Sequence, residues 1–393
     1  MKRGVYEQLA PILFGSGTVV QVGDKAKELG MTKVLVVTDK GIAAVGHPKK
    51  VVDSLKAAGI ECKVWAEATG DCPTESVRAG SAVAREFGAD GIVGIGGGSS
   101  LDTAKAIASI AANTDEILEQ IPVYLSGQKS YPNAPLKSIC IPTTAGTGSE
   151  CTRVAVLNDE KLDMKIGLPA FPSLGIVDPE LTVGSPASLT AFCGMDAFAH
   201  ANECLASKLR TPHSELLGYE AIRLITKWLP VACADTKNLE ARENLSLASN
   251  LAGISFSEGD IHLGHVIAHE LGHKYNIPHG LGGAVATPAI IEFVALEYPE
   301  TTKKIGDAMG LDLTGVTDAA VGREVADAVR EMMLEINIPT LEEKGIQYYQ
   351  VMEMLPAVMN HPLAASYDGT FTEDQVKRIL EQTYYWKSKS SNQ

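Results

Sequence analysis

The chain of 393 residues is 45% hydrophobic and 21% charged, a globular composition long enough for two domains. A net charge of -14, a pI near 5.2 and the lack of any basic run exclude nucleic acid as an expected partner. Seven scattered cysteines without a C-x-x-C pair point to reduced thiols in a cytoplasmic setting; MKRGVYEQLAPILFGSG is not expected to act as a signal peptide, and no apolar stretch reaches ~18 residues, so no membrane partner is expected.

The first part of the chain alternates short β-rich runs with helical patterns. VLVVT (34–38), CKVWA (62–66), GIVGI (91–95), SICIP (138–142), RVAVL (153–157) and LGIVD (174–178) are expected strands. Between them DKAKELG, HPKKVVDSLKAAG and TESVRAGSAVAREFG have the spacing of amphipathic helices. This alternation predicts an α/β domain with a parallel sheet covered on both faces. After about Thr182 the strands stop. SLTAFCGMDAFAHANECLAS, SELLGYEAIRLITKWLPVA, NLEARENLSLASNLAGISF, AAVGREVADAVREMMLEI and TEDQVKRILEQTYYW are all expected helices. The boundary falls in VDPELTVGSP, rich in Pro, Gly and Ser, giving an α/β domain over 1–183 and an all-α domain over 184–393. The terminal KSKSSNQ is expected to be disordered.

GIVGIGGGSSLDTAKAIASIAAN is a strand, a glycine turn and a helix. Gly96, Gly97 and Gly98 let the backbone approach a ligand closely, and Ser99 or Ser100 suits the helix N-cap. Bare N–H groups at such a helix start form a pyrophosphate site. Asp102 sits in the first turn, where a carboxylate suits the helix dipole but must point away from a phosphate. A tight turn without ligand is the alternative, and the pattern is not G-x-G-x-x-G. Asp39, just after VLVVT, is either a turn aspartate or an acceptor for an adenosine ribose that would also repel a 2′-phosphate. PTTAGTGSE (142–150) offers Thr143, Thr144, Thr147 and Ser149 to a ribose or phosphate, and Lys165 follows within reach of the same groups.

GDIHLGHVIAHELGHKYNIPHGLGG (259–283) holds five of the nine histidines. At ~100° per residue His262, His265, His269 and His273 share one helical stripe. Asn276, Pro278 and Gly280 break that pattern, which puts His279 on the turn after the helix. Upstream, GMDAFAHANE places Asp196 and His200 at i,i+4 on one helix face. A carboxylate and several imidazoles from separate helices make a transition-metal site; hydrogen-bonded core histidines are the plainer alternative. Glu203, on the same face as Asp196 and His200, is placed to orient a ligand or to pair with a cation.

Together GGGSSLDTAKAI, PTTAGTGSE, GMDAFAHANE and HVIAHELGHKYNIPHG resemble, in order, the signatures of the iron-containing, metal-dependent (group III) alcohol dehydrogenase family. The likeness runs from FGSGTV to the C-terminal helices. It implies a dehydroquinate synthase-like architecture: an N-terminal dinucleotide-binding domain, an all-α metal and substrate domain, and a cleft between them. It implies that Asp196, His200, His265 and His279 ligate one divalent metal, Fe2+ or Zn2+. It places His269 near substrate and nicotinamide without ligating, and associates Asp39 with NAD over NADP. It also implies a homodimer. Two stretches depart from the family pattern: Gly272-His273 with Leu281-Gly282-Gly283, and HPLAASYDG near the C-terminus, where the family has Asn-Pro.

The expected activity is NAD(H)-dependent alcohol oxidation or aldehyde reduction on a small primary alcohol or aldehyde, with a diol, a hydroxy acid or an anionic aldehyde as variants. Arg153 and His262 would serve an anionic tail. Three imidazoles and one carboxylate leave an open position for the substrate oxygen, and His269 is placed to relay the alcohol proton. Alternatives are a glycerol dehydrogenase-like polyol dehydrogenase, a dehydroquinate synthase-like lyase, and a metallopeptidase, since His269-Glu270-Leu271-Gly272-His273 spells H-E-x-x-H. The last leaves the glycine turn, Asp39 and the Asp196/His200 pair without a purpose.

Overall fold

The computed structural model describes residues 5–387; the expected tail 387–393 lies, beyond Lys387, outside the described residues. The chain divides into a unit over 8–182 and a unit over 183–393 that also includes the first seven residues. There Tyr6 stacks on His213 at 4.9 Å and the Glu7 amide donates to Glu258 Oε2 at 3.3 Å.

The first unit carries strands β1 (Ile12–Phe14), β2 (Lys33–Val37), β3 (Glu61–Trp65), β4 (Gly91–Gly96), β5 (Lys137–Pro142), β6 (Val154–Asp159), β7 (Met164–Pro169) and β8 (Leu174–Val177). Helices α1 (Val22–Glu28), α2 (Lys40–Val45), α3 (His47–Ala57), α4 (Thr74–Phe87), α5 (Gly98–Ala111) and α6 (Ile121–Leu125) connect them. Six strands form a wholly parallel sheet in the order β1-β8-β5-β4-β2-β3. Its central strands β2, β4 and β5 are buried beyond their first residues and rich in Val, Ile and Gly because both faces are covered. Val34, Val36, Val93 and Ile95 pack under α1 and α3, through Val22, Ala26, Val51 and Leu55. Leu35, Val37 and Ile92 pack with Val77 and Ala84 of α4 and Ile107 and Ile110 of α5. The expected α/β fold with a parallel sheet is therefore present. Adjacent strands β2, β4 and β5 deliver Asp39, the glycine turn and Thr143 at their carboxyl ends, where ligands bind in open α/β sheets.

One expected strand is elsewhere. The run at 153–157 is not in the parallel sheet: β6 pairs antiparallel with β7, Val154 opposite Pro169 and Asp159 opposite Met164. A parallel neighbour needs a crossover of a dozen or more residues, usually helical; β6 is instead followed by a short turn in which Asp163 has φ 52°. The sheet gains β1, three residues beside Pro11 whose periodicity is too brief to detect.

The second unit is helical: α7 (Ala187–Cys204), α8 (Pro212–Ala234), α9 (Leu239–Gly259), α10 (Leu263–Tyr275), α11 (His279–Ala295), α12 (Pro299–Met309), α13 (Asp318–Glu335), α14 (Tyr348–Met352), α15 (Leu355–Asn360) and α16 (Glu373–Tyr384). Helix α11 packs on α7, α10, α13 and α16 and is buried almost throughout. A helix surrounded on all sides is apolar all round and has no amphipathic period to reveal it. Its glycines serve close packing: a Cβ at Gly280 would lie 2.3 Å from the Phe192 carbonyl oxygen of α7. Among the described residues no helix is long and apolar enough to cross a membrane.

Candidate functional site

Four donors meet inside the helical unit. Helix α7 presents Asp196 and His200 one turn apart, α10 presents His265, and α11 begins with His279. His279 is thus the first residue of a helix, not part of a free turn: Asn276 ends α10 in the left-handed conformation at φ 53°, and Pro278 caps α11 with extended backbone. The donor atoms of the four side chains all lie within 4.8 Å of one another. From Asp196 Oδ1 it is 3.5 Å to His279 Nε2 and 4.0 Å to His265 Nε2, and from Oδ2 4.0 Å to His200 Nδ1. The His200 and His265 rings stack at 4.3 Å. Asp196, His200 and His265 are buried, while His279 is partly exposed.

Glu203, one turn beyond His200, fixes the tautomer of His265. It accepts the His265 Nδ1–H at 2.7 Å and the His262 amide N–H at 2.7 Å. The lone pair of His265 is thereby left on Nε2, a buried atom with no hydrogen-bond partner, facing Asp196. Burial opposes ionisation of Glu203, but the His265 and His262 imidazoles outweigh it and hold the carboxyl well below its ordinary range. The contact needs glycine at 264, where a Cβ would stand 2.4 Å from Glu203 Oε1. Glu203→Gln should weaken binding of a divalent metal roughly 10–100-fold. Chelator competition measures this, and an unchanged affinity would refute the orienting role.

His269 is buried beside the cluster, its ring 5.4 Å from that of His279. Neither His269 nor His273 joins the donor group, the one such group among the described residues. Glu270, itself buried, pairs with Lys274 at 3.0 Å one turn further along α10. His262 lies just before the helical stripe, as the N-cap of α10. Its ring is fully buried against Glu203 at 3.5 Å and edge-on to Tyr367 at 5.2 Å, so it does not line an open pocket for an anionic tail.

In the sheet unit the glycine turn leads from β4 into α5. The N-cap is Gly97, with no side-chain cap; Ser99 and Ser100, the expected caps, stand inside the first turn. Gly96 has φ 154°, and a Cβ on Gly98 would lie 2.6 Å from the Thr147 side chain. The turn therefore lies flat against the 142–150 loop, with the Thr143 amide donating to the Gly96 carbonyl at 2.9 Å. Thr143 Oγ1 is buried with no partner, and the Thr144 side chain faces Gly97. Asp39 caps α2, accepting the Ile42 amide at 2.9 Å, and accepts the Ser100 hydroxyl at 2.8 Å.

Two residues expected at the nucleotide site, Asp102 and Lys165, are engaged within the protein, and Asp102 does point away from the glycine turn's amides. Asp102 accepts the Ser149 hydroxyl at 2.6 Å and the Val156 amide at 3.0 Å, tying α5 to the 142–150 loop and β6. Lys165 pairs with Asp71 at 2.6 Å. A residue that sequence reasoning passed over holds this region together. Lys105 is fully buried, 2.9 Å from Asp102, and donates to the Ser149 carbonyl, the Thr152 hydroxyl and the Val154 carbonyl. Its signal is a lone lysine three residues after Asp102 in a helix otherwise made of small and apolar residues.

The model of the iron-containing alcohol dehydrogenases matches residues 10–179, and that of the Fe-containing alcohol dehydrogenase C-terminal family matches 190–384. The chain belongs to the iron-containing alcohol dehydrogenase family. Family relatives include the NAD-dependent methanol dehydrogenase of Bacillus methanolicus, 34% identical over 85% of this chain and 88% of that one. The sulfoacetaldehyde reductase of Bilophila wadsworthia is 34% identical over 97% and 99%. The crystal structure of a 1,3-propanediol oxidoreductase superposes with a TM-score of 0.91 at 32% identity, covering 97% of this chain and all of that one. Family membership makes the protein an alcohol dehydrogenase, and both histidines of the H-E-x-x-H spelling on α10 lie outside the four-donor group. The same relatives leave the substrate open, since their names span an alcohol, a diol and a sulfonated aldehyde.

Proposed function

We propose an NAD(H)-dependent alcohol dehydrogenase or aldehyde reductase for a small primary alcohol or aldehyde. In this reading Asp196, His200, His265 and His279 hold one divalent metal, Fe2+ or Zn2+. Residues 1–183 serve the dinucleotide and 184–393 the metal and substrate, in a cytoplasmic homodimer. The observation that carries the reading is the convergence of one carboxylate and three imidazoles within 4.8 Å, with the buried Nε2 of His265 lacking any hydrogen-bond partner. That donor set suits both metals.

When bound, the metal supplies Lewis-acid polarisation of the substrate oxygen, and the nicotinamide supplies the hydride acceptor or donor. The chain supplies placement and proton handling. Glu203 holds the His265 ring, and Asp196 supplies negative charge at the centre of the donor set. In the oxidation the substrate loses a hydride from carbon and a proton from its hydroxyl. A ring nitrogen of His269 takes that proton and in the reverse reaction returns it. The glycine turn offers the unsatisfied amides of the α5 start to the pyrophosphate, and Thr143 Oγ1 is an unused donor in the adjoining loop. Metal analysis of anaerobically purified protein, with an aldehyde panel followed by NADH loss, tests the reading. Metal-free protein with full activity, or no NADH-linked turnover of any alcohol or aldehyde, would sink it.

Asp39 bears on the choice of dinucleotide. Its carboxylate, at the end of β2 and 2.8 Å from the Ser100 hydroxyl, puts negative charge where an adenosine ribose would lie. Wild type should prefer NADH to NADPH, and Asp39→Gly should narrow that preference. Glycine at an N-cap costs only a few tenths of a kcal/mol, so the variant remains folded. The ratio of kcat/KM for the two nucleotides is the readout; equal use by wild type would contradict this role.

A further inference from the structure

One of the two segments that depart from the family pattern, HPLAASYDG, returns a sixth imidazole to the site. His361 follows α15, and its ring lies 5.7 Å from that of His269, tilted by 59°. It caps the single turn Pro362–Ser366, its Nδ1 accepting the Leu363 amide N–H at 3.2 Å. An amide nitrogen only donates, so Nδ1 carries the lone pair and the neutral ring has its hydrogen on Nε2. Burial favours that neutral form. His361 is 9% exposed, and its Nε2 has no hydrogen-bond partner. A buried N–H without an acceptor is costly, and native proteins rarely leave one unless something else completes it.

The donor is also held in place. Ser366 donates to Asp260 Oδ2 at 2.5 Å, the Lys208 amide to the Ser366 carbonyl at 2.8 Å, and the Asp368 amide to the Ala206 carbonyl at 2.9 Å. Arg210 adds a bond to Asp368 at 2.7 Å. These contacts fasten the segment to the region just after α7 and just before α10, the helices that bear three of the four metal donors. His361 cannot act as a proton acceptor at Nε2 without giving up its bond to Leu363. Its chemistry is that of a fixed neutral donor beside the proposed proton carrier.

We propose that His361 is a specificity-determining residue: its Nε2–H binds a second, uncharged hydroxyl of the substrate, so the enzyme prefers terminal diols and hydroxyaldehydes to the plain alcohol or aldehyde of the same length. The neutral Nε2–H offers a hydrogen bond without a positive charge, so the His361 ring supplies no counter-ion for an anionic tail. The proposal rests on the functional reading given above.

The test compares NAD-linked kcat/KM for propan-1-ol, propane-1,3-diol and 3-hydroxypropanoate in metal-loaded wild type, His361→Phe and His361→Gln. Wild type should favour the diol over propan-1-ol by about 10- to 100-fold, the effect of leaving one buried donor unpaired. His361→Phe should bring that ratio close to one with its metal retained, and His361→Gln, which keeps an N–H donor, should recover part of it. A ratio near one in wild type, an unchanged ratio in His361→Phe, or preference for the carboxylate over the diol would overturn the proposal. If neither alcohol is turned over, the functional reading fails. Calorimetric binding then still decides on His361: a diol advantage over propan-1-ol in wild type that disappears in His361→Phe supports it, and equal binding by wild type overturns it.

Discussion

His265→Ala is expected to lose both its metal and its turnover while the protein remains folded. His265 is the most deeply buried of the four donors, and its Nε2 has no other hydrogen-bond partner. Removing an outer partner such as Glu203 costs roughly 10–100-fold in metal affinity, and removing a donor must cost more. The substitution also deprives Glu203 of its 2.7 Å partner. That carboxylate keeps the His262 amide at 2.7 Å and the backbone amide of residue 265 at 3.3 Å, so the fold survives at lower stability. Metal content after dialysis, circular dichroism and NADH-linked rates measure the outcome together. Full metal occupancy in a folded variant would overturn the assignment of the centre.

His269→Ala should behave differently: metal retained, turnover reduced by ~10²–10⁴-fold, the usual worth of a positioned proton carrier. The ring stands 5.4 Å from His279 but outside the group of four donors. Glu270→Gln should stay largely active, because Glu270 spends its charge on Lys274 at 3.0 Å. Together the two variants separate the dehydrogenase from the H-E-x-x-H reading, in which His269 would be a ligand and Glu270 the base. A metal-free His269→Ala protein, or an inactive Glu270→Gln protein alongside peptidase activity in wild type, would reverse the roles given to these residues.

Features set by local spacing were legible in the sequence. Asp196 and His200 are one turn apart on a helix, so their shared face follows from geometry alone, and the strand–glycine–helix run at 91–111 is equally local. The doubly covered sheet was legible because VLVVT and GIVGI are apolar at consecutive positions. Features set by what packs around a segment were not. Helix α11 is apolar on all sides and opens on glycines that permit contact with α7, so its sequence resembles a turn, and His279 was placed accordingly. Strand β6 has the composition of its neighbours, but its partner is decided by the short turn to β7. Lys105 looks like any helical lysine until β6 and the 142–150 loop surround its ammonium. His361 lies nearly a hundred residues beyond His269, and only the fastening of residues 366–368 to the chain just after α7 and just before α10 brings it back.

The attachment of Tyr6 to His213 and of Glu7 to Glu258 has a consequence for biogenesis. Every strand of the parallel sheet has been synthesised by Val177, before the first metal donor at Asp196, so the sheet unit can fold while the ribosome is still extending the helical one. Residues 5–7 are translated ahead of that sheet, yet their partners on α8 and α9 emerge only after it. They must remain undocked while more than two hundred further residues are added. The earliest-made described part of the chain thus settles among the later ones, and its docking marks completion of α9 rather than the start of folding.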